Sequence, residues 1–113
     1  MKLNIKEPPR EFKPSKNHDI IIKDYGEIIL EKDEQVTFIT SDKKEYDIVK
    51  KDWGFYATPS VNDRLKRQGY KTAYVKNKNG QRYIMLVEIN KYENFIKYIN
   101  KTKQIIINWL DES

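Results

Sequence analysis

The sequence predicts an α+β domain built mainly on antiparallel sheet, and three observations carry that prediction. Short segments rich in β-branched and aromatic residues recur along the first half of the chain with polar turns between them. Asn79-Gly80 lies between two such segments, the strongest short-range hairpin signal in the chain. Two further segments, about 59–68 and 91–101, open on helix-start residues and continue at helical spacing. The expected architecture is six to eight strands in a sandwich or partial barrel, carrying one short helix and one amphipathic helix.

Residues 1–18 hold Pro8, Pro9 and Pro14 among charges and are expected as an extended or mobile arm, with 19–113 as one α+β domain. Asp19 to Lys23, with its triple isoleucine, is a strand candidate. Asp24-Tyr25-Gly26 is expected to turn the chain into a second strand over Glu27 to Glu31, and a third runs from Gln35 to Thr40. Glu45 to Lys50 alternates around Tyr46 and Ile48, and Trp53 to Ala57 is a further short strand. Thr58-Pro59-Ser60 has the form of a helix cap followed by proline in the first turn, and Gly69 supplies the stop.

Tyr70 to Lys76 and Arg82 to Glu88 are strands. A two-residue turn at Asn79-Gly80 would set Lys78 opposite Gln81 and Val75 beside Ile84. Asn90 is placed to cap the second helix, with Glu93 in the capping-box position and Tyr92, Phe95, Ile96 and Ile99 on its apolar face. Gln104 to Leu110 alternates Ile105, Ile107 and Trp109, which fits a last strand or a bound tail.

The 113 residues suffice for one core, and eight Tyr, four Phe and two Trp supply the large side chains for it. No cysteine is present, so disulfides and thiolate metal sites are excluded and a reducing, cytoplasmic setting is expected. The longest apolar run, Tyr83 to Val87, is far short of the roughly 20 residues of a membrane-spanning helix.

His18 is the single histidine, which gives Cys-His and Ser-His-Asp catalysis little support and excludes two-histidine metal motifs. A carboxylate-only divalent site stays open, but Asp42, Glu45 and Asp47 fall at a turn and a strand start and are expected as solvated surface charges; each of the four glycines stands alone, so no phosphate-cradling loop is present. No catalytic residue, metal or cofactor is assigned.

Charge is uneven. Residues 1–52 carry 11 basic and 12 acidic side chains, residues 53–113 carry 11 and 5, and the excess concentrates in Arg64, Lys66, Arg67, Lys71, Lys76, Lys78 and Arg82. Such a stretch attracts anions, whether a small phosphorylated ligand, an acidic protein surface or nucleic acid.

Residue types useful for recognition crowd into Trp53 to Leu65. Thr58, Ser60 and Arg64 at a helix start can hold a phosphate or carboxylate, Trp53 and Tyr56 can stack on a sugar or base, and Asn62 adds an amide. The plainer alternative makes Trp53 and Phe55 core, Thr58-Pro59-Ser60 a cap only and Arg64 a solvated charge.

The run Trp53-Gly54-Phe55-Tyr56-Ala57-Thr58-Pro59-Ser60-Val61-Asn62-Asp63-Arg64-Leu65, continued by Tyr70 to Asn77 and Tyr83 to Glu88, resembles a family of small uncharacterised prokaryotic proteins associated with surface-polysaccharide and sugar-nucleotide biosynthesis loci. The resemblance covers about residues 19–100. It implies a setting rather than an activity, with Trp53, Tyr56, Thr58, Ser60, Asn62 and Arg64 as ligand-binding positions.

The expected function is therefore a non-catalytic binding or accessory protein for a small anionic ligand, such as a phosphorylated sugar, or for a partner protein. A nucleic-acid-binding module and a histidine-independent enzyme acting on a sugar derivative are the alternatives. An exposed sheet edge could also pair with a second copy of the chain.

Overall fold

The computed structural model describes residues 1–14 and 19–112, so His18 lies outside the described residues. In chain order the elements are β1 (Lys2–Phe12), β2 (Ile22–Ile29), β3 (Gln35–Ile39), β4 (Glu45–Lys51), β5 (Gly54–Ala57), α1 (Arg64–Arg67), β6 (Tyr70–Lys76), β7 (Arg82–Glu88), α2 (Tyr92–Lys101) and β8 (Ile105–Trp109). Among the described residues the strands divide into three sheets, β1-β2, β3-β4-β5 and β7-β6-β8, and none closes into a barrel. The α+β class, mainly antiparallel with two helices, is thus as expected. The chain divides into two compact units, Met1–Thr37 with Asp47–Tyr56, and Phe38–Tyr46 with Ala57–Ser113.

In the first unit, β1 and β2 form an antiparallel ribbon that pairs Leu3 with Ile28 and Phe12 with Ile22. The register jumps between Ile5 and Arg10, and Pro8-Pro9 fall inside that bulge. Proline has no N–H to give to a ladder, so the pair sits where the ladder is already broken.

The expected turn at Asp24-Tyr25-Gly26 is absent, and β2 runs straight through it. Gly26 has φ +123°, and a Cβ built on it would lie 1.9 Å from the Asn4 carbonyl oxygen. Glycine here permits close approach of β1 rather than chain reversal. The Asp24 carboxylate accepts the Gly26 N–H at 2.9 Å, and that bond holds its pKa below the ordinary aspartate value.

The second unit holds the apolar core. β6 is central, paired antiparallel with β7 and β8. Ala73, Val75, Val87 and Ile99 are buried together, and Met85, Phe95, Ile106 and Trp109 pack against them. The helix α2 contributes Phe95 and Ile99, as its spacing predicts. Tyr92 and Phe95 lie against the Trp109 ring, each with centroids 5.9 Å apart.

Three further local expectations differ from what is found. The hairpin pairs Val75 with Tyr83 and Ala73 with Met85, one residue away from the expected register. The Asn77 side-chain oxygen accepts the N–H groups of Asn79 and Gln81, at 3.0 and 2.9 Å, and Gly80 takes φ +83°. This closes a three-residue loop with glycine in the left-handed position instead of a two-residue turn.

The first helix is the single turn Arg64–Arg67 rather than 59–68. Ser60 accepts the Arg64 N–H on its hydroxyl and the Leu65 N–H on its carbonyl, which holds residues 61–63 as turns ahead of the helix. The second helix opens through a 3-10 turn, Ile89–Lys91, and has no side-chain cap, so Asn90 and Glu93 do not form the expected capping box.

Candidate functional site

The six candidate residues fall on both units. Trp53, in the turn between β4 and β5, and Tyr56, on β5, belong to the first; Thr58, Ser60, Asn62 and Arg64 belong to the second.

Alternation along β5 separates Phe55 from Tyr56, which places Tyr56 on the side that Trp53 reaches from the turn. Their rings stack with centroids 5.8 Å apart and planes 18° from parallel. Trp53 is nevertheless 68% exposed and Tyr56 46%. Tryptophan is normally well buried, so an indole held against a second ring yet left largely in water is the least expected side chain of this segment. The alternative that Trp53 and Phe55 are core side chains does not hold, because Phe55 is exposed as well.

Beside this pair the Lys51 ammonium meets the Asp33 carboxylate at 2.5 Å. Its pKa is raised, chiefly by that hydrogen bond, with smaller contributions from Tyr56 and Asp52. Lys51 is therefore a fixed, charged donor next to the stacked rings. On the same strand the Lys50 ammonium sits 5.5 Å from the Phe55 ring centroid and donates to the Lys51 carbonyl. The Asp33–Lys51 pair was not legible as a site residue pair, since Asp33 reads only as part of the polar turn Lys32-Asp33-Glu34.

In the second unit Ser60 and Arg64 come together, but through the Ser60 Oγ accepting the Arg64 backbone N–H at 2.9 Å. The Arg64 guanidinium meets the Glu45 carboxylate at 3.3 Å. Glu45 is itself positioned by Gln68, whose side-chain amide accepts its N–H at 2.8 Å and donates to its carbonyl at 3.0 Å. Thr58 is half-buried and Asn62 exposed. A helix of four residues adds little dipole to this arrangement.

Much of the basic stretch is likewise engaged. Arg67 pairs with Asp63 at 2.8 Å, Lys71 with Glu112 at 2.6 Å and Asp111 at 3.4 Å, and Arg82 donates to the Tyr74 hydroxyl at 3.2 Å. Cations held by internal partners cannot track a phosphate backbone without first giving those partners up.

Among the described residues no group of three or more histidine, cysteine or carboxylate side chains is placed to hold a metal ion, and no helix is long and apolar enough to cross a membrane. Comparison with protein-family models, curated proteins and solved structures gives no match.

Proposed function

We propose that this chain is a non-catalytic binding protein for an acidic sugar derivative, such as a phosphorylated sugar, which stacks on the free face of Trp53. The exposed, pre-stacked Trp53–Tyr56 pair is the observation that supports this. A sugar ring presents a C–H face to an aromatic plane, and a plane already fixed by a neighbour loses little freedom on binding. Lys51 offers its ammonium to the ligand's acidic group, sharing it with Asp33, and the Asp33 and Asp52 carboxylates accept from sugar hydroxyls. The resemblance to proteins of surface-polysaccharide loci supplies a setting in which such ligands occur.

The test is a titration with glucose 1-phosphate, followed by the Trp53 indole N–H resonance, with glucose and a short oligothymidylate as comparison ligands. Glucose 1-phosphate should shift that resonance with saturation, and Trp53→Ala should weaken binding by about tenfold or more, the range seen for loss of one stacking aromatic. Binding of the oligonucleotide alone, fading steeply with salt, would replace this function with single-strand recognition. Absence of any shift at Trp53 with either sugar would overturn it.

A further inference from the structure

A groove of about 420 Å³ opens on the second unit where the far end of the β6–β7 hairpin meets the first turns of α2. Its volume falls within the roughly 300–1,000 Å³ usual for small-molecule sites. Tyr70, Phe95 and Tyr98 give it three aromatic walls, Leu86 and Val87 lie between them, and Glu88, Lys91 and Asn94 supply its polar groups.

The charges of the groove are unequal in kind. The Glu88 carboxylate accepts from the Lys44 ammonium at 2.7 Å, and the same ammonium stands 5.1 Å from the Tyr70 ring centroid. Glu88 is therefore paired, by an ammonium that also faces Asp42 at 3.8 Å, and the bond to Glu88 is the main reason the Lys44 pKa is raised. Lys91 is exposed and has no ion-pair partner among the described residues. Burial is the main cause that raises the Tyr70 pKa, so its phenol stays protonated and able to donate.

An open, mainly apolar groove with aromatic rings, one exposed cation and an amide donor is complementary to a flat apolar body bearing a single negative charge. We propose that this groove is a second ligand site, independent of the Trp53 platform, which takes a small aromatic or heteroaromatic carboxylate with its ring among Tyr70, Phe95 and Tyr98 and its carboxylate on Lys91.

The experiment is a backbone amide titration of the whole chain with indole-3-acetate, repeated with the uncharged indole-3-acetamide and with the variants Lys91→Met, Tyr98→Leu and Trp53→Ala. Indole-3-acetate should shift amides around Tyr70, residues 86–88 and residues 91–98. Lys91→Met keeps the apolar stem and removes the charge, and should weaken indole-3-acetate by about tenfold, the value of one charge-assisted contact, bringing it level with the acetamide. Tyr98→Leu should weaken both probes, and Trp53→Ala should change neither, which separates failure of this site from failure of the sugar site. The proposal is overturned if no amide in the groove shifts, if the acid and the amide bind alike to the unaltered chain, or if Lys91→Met leaves indole-3-acetate binding unchanged.

Discussion

The two units are held together by different physics. In the second, Leu65, Ala73, Val75, Val87 and Ile99 are buried, the ordinary basis of domain stability. In the first, the only buried residue among those described is Asp47, while Leu3, Ile5, Ile22, Ile28 and Phe12 on the β1–β2 ribbon remain exposed. That ribbon rests on its backbone ladder and on surface pairs such as Arg10–Asp24 at 3.3 Å and the Met1 amino group with Glu34 at 2.9 Å. Exposed pairs contribute little, and an isolated two-stranded ribbon is marginal in water. Both proposed ligand surfaces follow the same division: an open aromatic platform in the unit where no apolar side chain among those described is buried, and a groove beside the packed core of the other.

The largest expected effect tests this contrast directly. Leu65→Ala removes a side chain that is 1% exposed and should cost about 2–5 kcal/mol in chemical denaturation. Ile5→Ala, at a position 61% exposed, should stay within about 0.5 kcal/mol. A comparable cost at both positions would mean that the first unit buries Ile5 in solution, and the contrast would fail.

The sequence was most legible where the second unit has its core. The β6 and β7 boundaries and the apolar face of α2 follow directly from composition and spacing, because burial in the core enforces the periodic pattern. The hairpin register was not legible, because the Asn77 side chain, rather than Asn79-Gly80 alone, closes the loop. Residues 59–63 carry helix-start residues, but the Ser60 hydroxyl and carbonyl spend their bonds on residues 64 and 65, a choice that propensity does not reveal. Of the candidate site, the crowding of residue types grouped Trp53 with Tyr56, but the stacking of one ring on the other was not legible. The Asp33–Lys51 pair beside them depends on a turn-to-strand contact 18 residues apart, which no local pattern encodes.

Gly26→Ala should give the next effect, confined to the first unit. Alanine at φ +123° incurs strain of about 1–3 kcal/mol, and its Cβ would also collide with the Asn4 carbonyl oxygen. The β1–β2 ladder should therefore open, and amide exchange over residues 2–12 should become fast while β6 and β8 keep their protection. Loss of protection across β6 as well would show that the ribbon and the core unfold as one cooperative body, which would erase the distinction between them.

The smallest effect concerns a polar group inside the better-packed unit. Asp111 is 4% exposed, and its carboxylate accepts the buried Thr72 N–H at 2.9 Å and faces Lys71 at 3.4 Å. Burial is the largest single influence on its pKa and pushes it up, but the N–H groups of Thr72 and Asp111 together with Lys71 outweigh that and hold it below the ordinary aspartate value. A carboxylate with a depressed folded pKa stabilises the fold above its unfolded pKa, and that contribution disappears as pH falls through the folded value. The core should therefore weaken below about pH 4, the unfolded aspartate value. Asp111→Ala strands the Thr72 donor and should cost about 1–3 kcal/mol at neutral pH, whereas Asp111→Asn keeps an acceptor and should cost less. Both should flatten the acid limb of stability followed by Trp109 fluorescence in a Trp53→Phe background. An acid limb unchanged in Asp111→Asn would assign acid sensitivity to surface carboxylates: Asp24 and Glu34, whose pKa values are lowered chiefly by backbone N–H bonds, and Asp42, whose pKa is lowered chiefly by the Thr40 hydroxyl. Surface pairing would then govern the pH response of the chain and the buried contact would not, the reverse of what the core predicts.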